Sequence, residues 1–256
     1  MAELLKYGSE GPRVRLLQRL VNTNPYRKAR KPLDVDGEWG PLTSGGVQGC
    51  KFWAGYAKED IEPVAGDLLF DLLSGQRPLP EDNKARRAAR LKKVAEGARE
   101  QDALDKLRLR ALGVIRGELG TLEKPNNSNH IKYNEWWGWG PVAYCVIGVS
   151  WAWWQAGSKT FVRGSRWAGC TQMLADAKTG GKGIHLTSDP DPGCPGVVDL
   201  YGDAHPDHAI TFVRANADGK TAETYEFNTV KDGSYIQGVF KKDRLLKDCW
   251  WFEVEA

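Results

Sequence analysis

The stretch Tyr144-Cys145-Val146-Ile147-Gly148-Val149-Ser150-Trp151-Ala152-Trp153-Trp154-Gln155 is almost wholly apolar, holds no proline and runs into Gly157. It predicts a mostly apolar helix over residues 144–155, ended by a glycine free to adopt the left-handed conformation. From Gly196 onward the pattern changes. Residues 197–201, 209–214, 221–227 and 235–240 are β-rich runs separated by Gly, Asp and Asn turns, which predicts an antiparallel sheet. A helix followed by such a sheet makes this half of the chain α+β.

Upstream of that helix, residues 123–129 (Glu-Lys-Pro-Asn-Asn-Ser-Asn) read as a loop and residues 111–119 as a helix. Between residues 81 and 110 the composition shifts to ten basic and six acidic residues, with no proline inside. This predicts an exposed helix or pair of helices, introduced by Arg77-Pro78-Leu79-Pro80 and acting as a solvated connector; a basic patch for an anionic polymer is the competing reading. Further upstream, Val14, Leu17 and Val21 share one face of a short helix over residues 12–21. Weaker helices follow over residues 43–53 and 65–73, after the turn-rich Asp36-Gly37-Glu38-Trp39-Gly40-Pro41. The domain plan is therefore a small three-helix domain at 1–77, a charged helical linker at 78–110 and an α+β domain at 111–256.

Composition supports this division. Domains cluster at roughly 100 to 150 residues, so 256 residues predict more than one. Hydrophobic residues at 41% and charged residues at 27% exclude a wholly disordered chain. No run approaches the ~18 consecutive apolar residues of a membrane span, and residues 1–20 lack the apolar core of a signal peptide. The expectation is no membrane insertion and a stay in the cytosol until something releases the chain. Cys50, Cys145, Cys170, Cys194 and Cys249 are odd in number and lack CxxC spacing, so neither a disulfide framework nor a zinc ribbon is expected. A net charge of +3 is too small to argue for nucleic acid.

The chemistry centres on Cys145. At the start of its helix, unpaired backbone N–H groups and the helix dipole favour an anion, which lowers a thiol pKa and supplies thiolate at neutral pH. A thiolate nucleophile needs a base, and His208 heads the run His208-Ala209-Ile210-Thr211-Phe212-Val213. The base needs an orienting group. Glu226 and Asn228 end the next run, where an alternation of two sends both to one face; one would orient His208 and the other polarise the site.

These residues carry a resemblance. Gly120-x-x-Glu123-x-Pro125-x-x-Ser128-Asn129, Tyr133-x-x-Trp136, Tyr144-Cys145-Val146-x-x-Val149-Ser150-Trp151 and Ala156-Gly157, with His208-Ala-Ile and Glu226-x-Asn228, resemble the CHAP domains of peptidoglycan hydrolases. The likeness covers residues 111–256 and implies a papain-like cysteine amidohydrolase or peptidase. Two departures stand out: Tyr144-Cys145-Val146 where the family commonly has Trp-Cys-Ala, and Pro195-Gly196-Val197 where it has Pro-Gly-Asp. Residues 4 to about 75 resemble the three-helix peptidoglycan-binding domain, through Gly8-x-x-Gly11-x-x-Val14-x-x-Leu17-Gln18, Asp36-Gly37-x-Trp39-Gly40-x-x-Thr43 and Val47, with Gly46 where that family often has Ala. Together they imply a modular phage endolysin, acting on bacterial peptidoglycan as a monomer and held in the host cytoplasm until released to the wall. Its scissile bond would be the N-acetylmuramoyl-L-alanine amide, or else a stem or cross-bridge peptide bond. A non-catalytic wall-binding protein and a nucleic-acid binder acting through the basic linker are the alternatives from other classes.

Seven tryptophans fall between residues 136 and 167. Trp151 and Trp154, three apart on the helix, are expected in the core. Trp136, Trp137 and Trp139, in a Gly-rich loop, are expected to line a groove for sugar or peptide, with Glu123, Asn129, Tyr133 and Tyr144 beside them. His205-x-x-His208 lacks a third ligand, so no zinc site is expected. His130 and His185 read as exposed loop residues. Asp189, Asp191, Asp199 and Asp203 read as an Asp-rich turn, with Ca2+ as the cation they could hold. No cofactor is otherwise expected.

Overall fold

The structure is a computed structural model, and its described residues are 4–27, 31–164 and 166–255. Two compact units divide the chain, Met1–Ala98 and Arg99–Ala256. The fold is α+β, with seven α-helices and one six-stranded antiparallel sheet among the described residues.

In the first unit, α1 (Pro12–Thr23), α2 (Pro41–Trp53) and α3 (Asp67–Leu73) enclose a core of Val14, Leu17, Val21, Trp39, Val47, Leu69 and Leu72. Both α1 and α2 start with proline in the first turn, where its missing N–H costs nothing. The start of α4 (Glu81–Glu118) also belongs here. Arg86 Nε donates to the Gly55 carbonyl at 2.8 Å, Arg90 Nη2 donates to the Tyr56 carbonyl at 2.7 Å, and the Arg90 guanidinium lies 4.1 Å from the Phe52 ring centre. Gly55 makes this approach possible. Its φ is +81°, and a Cβ there would sit 2.0 Å from the Asn83 carbonyl oxygen.

Helix α4 is a single helix of 38 residues, and it absorbs both the connector and the separate helix expected over 111–119. Residues 92–103 are exposed, which explains why the charged stretch shows no apolar stripe. Further along, Leu107, Ala111 and Ile115 enter the core of the second unit.

In that unit the strands are β1 (Ile184–Thr187), β2 (Pro195–Val198), β3 (His208–Ala215), β4 (Thr221–Val230), β5 (Gln237–Leu245) and β6 (Cys249–Val254), in the order β1-β6-β2-β3-β4-β5. Four of them fall on the expected runs. The edge strand β1 and the aromatic-rich β6 were not foreseen: β1 has only four residues, and β6 opens on consecutive apolar residues that show no alternation. Helices α5 (Lys132–Trp137), α6 (Cys145–Gln155) and α7 (Cys170–Thr179) complete the unit, and α6 packs on β3 and β4. It is buried on nearly every side. Gly148 permits this: a Cβ there would meet the Phe227 ring of β4 at 2.2 Å.

That all-round burial corrects the tryptophan assignment. Trp153 is the fully buried ring of α6, stacked on Phe161, whereas Trp151 is half-buried and Trp154 is 42% exposed. A spacing of three selects a face only when the helix has one apolar face. Trp136 and Trp137 lie on α5 rather than in a loop, and His185 lies on β1, 3.0 Å from Glu253.

Candidate active site

Helix α6 begins at Cys145, with Tyr144 as its N-cap and the Gly148 N–H bonded to the Tyr144 carbonyl at 2.7 Å. The Cys145 backbone N–H is thus one of the first-turn donors that an α-helix leaves without an internal partner. His208 opens β3, and its imidazole stands between the Cys145 thiol and the Glu226 carboxylate of β4. Nε2 lies 3.1 Å from Glu226 Oε2. His208 and Glu226 are both buried, Glu226 completely.

Glu226 is itself held in a fork. Arg244 of β5 donates through Nε to Oε1 at 2.7 Å and through Nη2 to Oε2 at 2.6 Å, and the Thr224 hydroxyl donates to Oε1 at 2.7 Å. Burial alone would raise the Glu226 pKa, but Arg244 and His208 outweigh it and bring it down to about 2. Burial opposes the imidazolium of His208, yet Cys145 and Glu226 on its two sides lift its pKa to about 9. The Cys145 thiol is pulled well below the ordinary thiol range by a hydrogen bond from Cys170 and by His208, against the opposing effect of burial. Both shifts favour the thiolate and imidazolium forms of the pair. Such a pair combines a charged sulfur nucleophile with a positioned proton donor.

Arg244 and Cys170 were not foreseen. Arg244 lies on β5 opposite Ala222, and a hairpin pairing that sets Glu226 against Phe240 is needed before its side chain can be placed near Glu226. Cys170 starts α7, and its Sγ lies 3.9 Å from Cys145 Sγ.

Asn228 departs from the expected alternation. A register shift between Glu226 and Thr229 and a φ of +54° at Asn228 break the period of two, so the two side chains do not share a face by strand geometry. Among the described residues no hydrogen bond joins the Asn228 side chain to His208; its backbone instead faces the Tyr144 hydroxyl.

Of the residues expected to line a groove, three are core. Tyr133 and Tyr144 are fully buried and Trp137 nearly so; the Tyr133 hydroxyl donates to Glu118 at 2.6 Å. Glu123, also buried, accepts the backbone N–H groups of Ser128 and Asn129 at 2.7 and 2.9 Å and so shapes the 123–130 loop. The half-buried Trp136 touches Trp137 and Trp154, and the 53%-exposed Trp139 touches Trp137. Rings open to a ligand here are those of Trp139 and Trp154.

In the first unit the expected turn is built around the buried Gln18. Its Nε2 donates to Asp36 Oδ1 at 2.7 Å, to the Glu38 carbonyl at 3.0 Å and to Thr43 Oγ1 at 3.2 Å, while its Oε1 accepts the Gly37 N–H at 3.0 Å. Gly37 has a φ of +84°. Trp39 is buried with Nε1 bonded to Ser44, and Gly40 caps α2. These residues hold the turn in shape; the cleft beside it is lined by Gln18, Leu33, Asp34, Asp36, Glu38 and Thr43.

Asp199, Asp203 and Asp207 each bring a carboxylate oxygen within 4.8 Å of the others, an oxygen donor set of the type hard cations take. The Asp199 carboxylate already accepts the N–H groups of Tyr201, Gly202, Asp203 and Ala204, so the loop has its own use for it. Asp191 stands apart, paired with Arg108 at 3.0 Å. No helix among the described residues is long and apolar enough to cross a membrane. No family model matches the chain, and no curated protein or solved structure is detectably similar to it.

Proposed function

We propose that this protein is a peptidoglycan hydrolase of the endolysin type that cleaves an amide bond by cysteine nucleophilic catalysis. The observation that carries the reading is the buried Cys145, His208, Glu226 line, locked from behind by the Arg244 fork. A structural cysteine has no need of an imidazole on one side and a carboxylate behind that imidazole.

The reaction follows from the geometry. The Cys145 thiolate attacks the amide carbonyl carbon while the Cys145 backbone N–H donates to the developing oxyanion. His208 gives its proton to the leaving nitrogen, the C–N bond breaks, and an acyl-thioester remains on Cys145. Neutral His208 then takes a proton from water, and the hydroxide formed displaces the thiolate. Glu226 keeps the imidazole oriented and its charge balanced throughout, and Thr224 and Arg244 position Glu226. No metal or cofactor enters these steps; Ca2+ is the cation that the Asp199, Asp203 and Asp207 cluster would suit, outside the reaction.

The substrate class rests on the likeness of both ends of the sequence to peptidoglycan-directed domains. The first unit would dock to the wall through the cleft beside the Asp36-Gly37 turn, and the exposed rings of Trp139 and Trp154 would offer flat faces to sugar or stem peptide. The five free thiols suit a reducing cytoplasm before release. The muramoyl-L-alanine amide is the first choice of scissile bond and a stem or cross-bridge peptide bond the second. The test is clearing of a cell-wall suspension followed by mass spectrometry of the released fragments. Wild-type protein is expected to clear it and Cys145→Ala to bind without clearing. Free lactyl groups on muramic acid identify the amidase, and new peptide amino termini the peptidase. Undiminished lysis by Cys145→Ala sinks the proposal, and binding without lysis by the wild type leaves a wall-docking protein.

A further inference from the structure

The catalytic scheme uses one thiol, but two stand together. Cys145 and Cys170 open α6 and α7 respectively, are both buried, and bring their sulfurs to 3.9 Å. Cys50, Cys194 and Cys249 are free thiols, and among the described residues no hydrogen bond joins any of them to another sulfur. A nucleophilic scheme of the cysteine, histidine and carboxylate kind has no place for a second thiol at the attacking sulfur. Each helix start supplies backbone N–H groups that favour negative charge on sulfur.

We infer that Cys145 and Cys170 form a reversible disulfide under oxidising conditions, which removes the nucleophile and makes the site a redox switch that is open when reduced and closed when oxidised. The oxidant is a hydroperoxide. Cys145 thiolate attacks one peroxide oxygen; the O–O bond breaks, an S–O bond forms, sulfur loses two electrons, and the departing oxygen leaves as hydroxide or alkoxide. Cys145 now carries a neutral sulfenic acid. The Cys170 sulfur attacks the Cys145 sulfur, an S–S bond forms, the S–O bond breaks, and the leaving hydroxide combines with the Cys170 proton as water. A dithiol reopens the bond by exchange: one of its thiolates attacks the disulfide, its second thiol closes a disulfide within the reductant, and both protein thiols are released. The division of labour is set by the local electrostatics. In the resting site Cys170 donates to the Cys145 sulfur, and this hydrogen bond, burial and the thiolate charge all hold Cys170 protonated. Oxidation of Cys145 removes that charge and frees Cys170 to act as the resolving thiol.

The closing of the pair needs side-chain rotation to bring the sulfurs from 3.9 Å to a bond of about 2.05 Å. The alternative fate of a lone sulfenic acid is irreversible overoxidation.

The experiment treats the folded full chain with hydrogen peroxide, blocks free thiols by alkylation and maps peptides by mass spectrometry. A crosslinked pair holding Cys145 and Cys170, lighter by two hydrogens, is expected, with Cys50, Cys194 and Cys249 still alkylated. Dithiothreitol is expected to return at least nine-tenths of the alkylatable Cys145. In Cys170→Ser the same treatment is expected to carry Cys145 to sulfinic acid, with no recovery by dithiothreitol. Alkylation of both cysteines in peroxide-treated native protein, or sulfinic acid at Cys145 without the crosslink, overturns the inference. Because the native chain decides the matter, a Cys170→Ser protein that fails to fold does not obscure it. The readout is mass and not lysis, so a crosslink in a protein without lytic activity counts against the hydrolase reading alone, and lysis without a crosslink against the switch alone.

Discussion

At the scale of single residues, the site is a chain of charges in which each group sets the next. The proposed reaction requires thiolate at Cys145 and imidazolium at His208. With the His208 pKa lifted to about 9 and that of Cys145 depressed, the rate is expected to fall as pH rises through about 9 and to persist well below the usual thiol range on the acid side. A rate profile of wall lysis against pH checks this; a rate still climbing above pH 9 would mean that His208 acts only as a neutral base. Stability follows the same groups. The Glu226 pKa falls from 4.5 to about 2 on folding, so its contribution is full above 4.5 and is lost as pH drops through about 2. His208, raised from 6.5, contributes fully below 6.5 and loses that contribution as pH climbs through about 9. Arg244→Met leaves the buried Glu226 with only Thr224 and His208 beside it, and breaking a buried pair in this way costs about 3 to 5 kcal/mol. A lower urea midpoint, with an acid limb of the stability profile moved to higher pH, is the expected result; unchanged stability would show that the fork is dispensable. Cys145, His208 and Glu226 were legible in the sequence because a helix start, a strand start and a strand end are local features. Arg244 and Cys170 reach the site through strand pairing and helix placement, which no local pattern encodes.

At the scale of elements, α6 illustrates how packing overrides period. The helix is apolar nearly all round because it lies in the middle of the second unit, so its sequence identifies a helix but not a buried face. Likewise the pairing of β4 with β5 is regular up to Glu226 and shifts before Thr229, so Glu226 meets His208 while Asn228 does not share its face. The two opposing effects at Gly148 can be weighed. Alanine is the better helix former by about 0.8 to 1.0 kcal/mol, but its Cβ would lie 2.2 Å from the Phe227 ring, and overpacking of a core costs about 1 to 3 kcal/mol. Gly148→Ala is therefore expected to lower the melting temperature. Gly113→Ala, in α4 with nothing within 4 Å of the added carbon, keeps the propensity gain without the clash and is expected to raise it slightly. Thermal unfolding of both variants checks the pair, and a Gly148→Ala protein as stable as Gly113→Ala would mean that Phe227 can give way.

At the scale of the molecule, the question is where the positive charge resides and whether it is free to act. The segment 81–110 holds ten basic and six acidic residues, a balance of +4, which leaves 26 basic against 27 acidic residues elsewhere, or -1. On composition alone, attraction to anionic polymers would reside in that segment. The structure occupies most of those cations. Arg86, Arg90, Arg108 and Arg110 donate to carbonyls within their own units, Arg87 lies over the Tyr26 ring, and Lys84, Lys92 and Lys106 pair with acidic neighbours on α4. Among the described residues, Lys93 and Arg99 alone of the ten have no such partner. Exposed pairs along a helix are worth only about 0.3 to 0.5 kcal/mol and can be exchanged, whereas the buried Arg108, bonded to the Pro192 carbonyl, is tied into the fold. A dedicated DNA binder making 6 to 10 phosphate contacts shows a logarithmic salt slope of about -0.9 per contact. With so few free cations, duplex DNA is expected to bind weakly, with a slope no steeper than about -4, and to be fully released at physiological salt. Fluorescence anisotropy of a labelled duplex between 50 and 200 mM salt measures this directly. A slope of -6 or steeper would show that α4 sheds its internal partners to meet a polyanion, and would restore the basic segment as a binding surface.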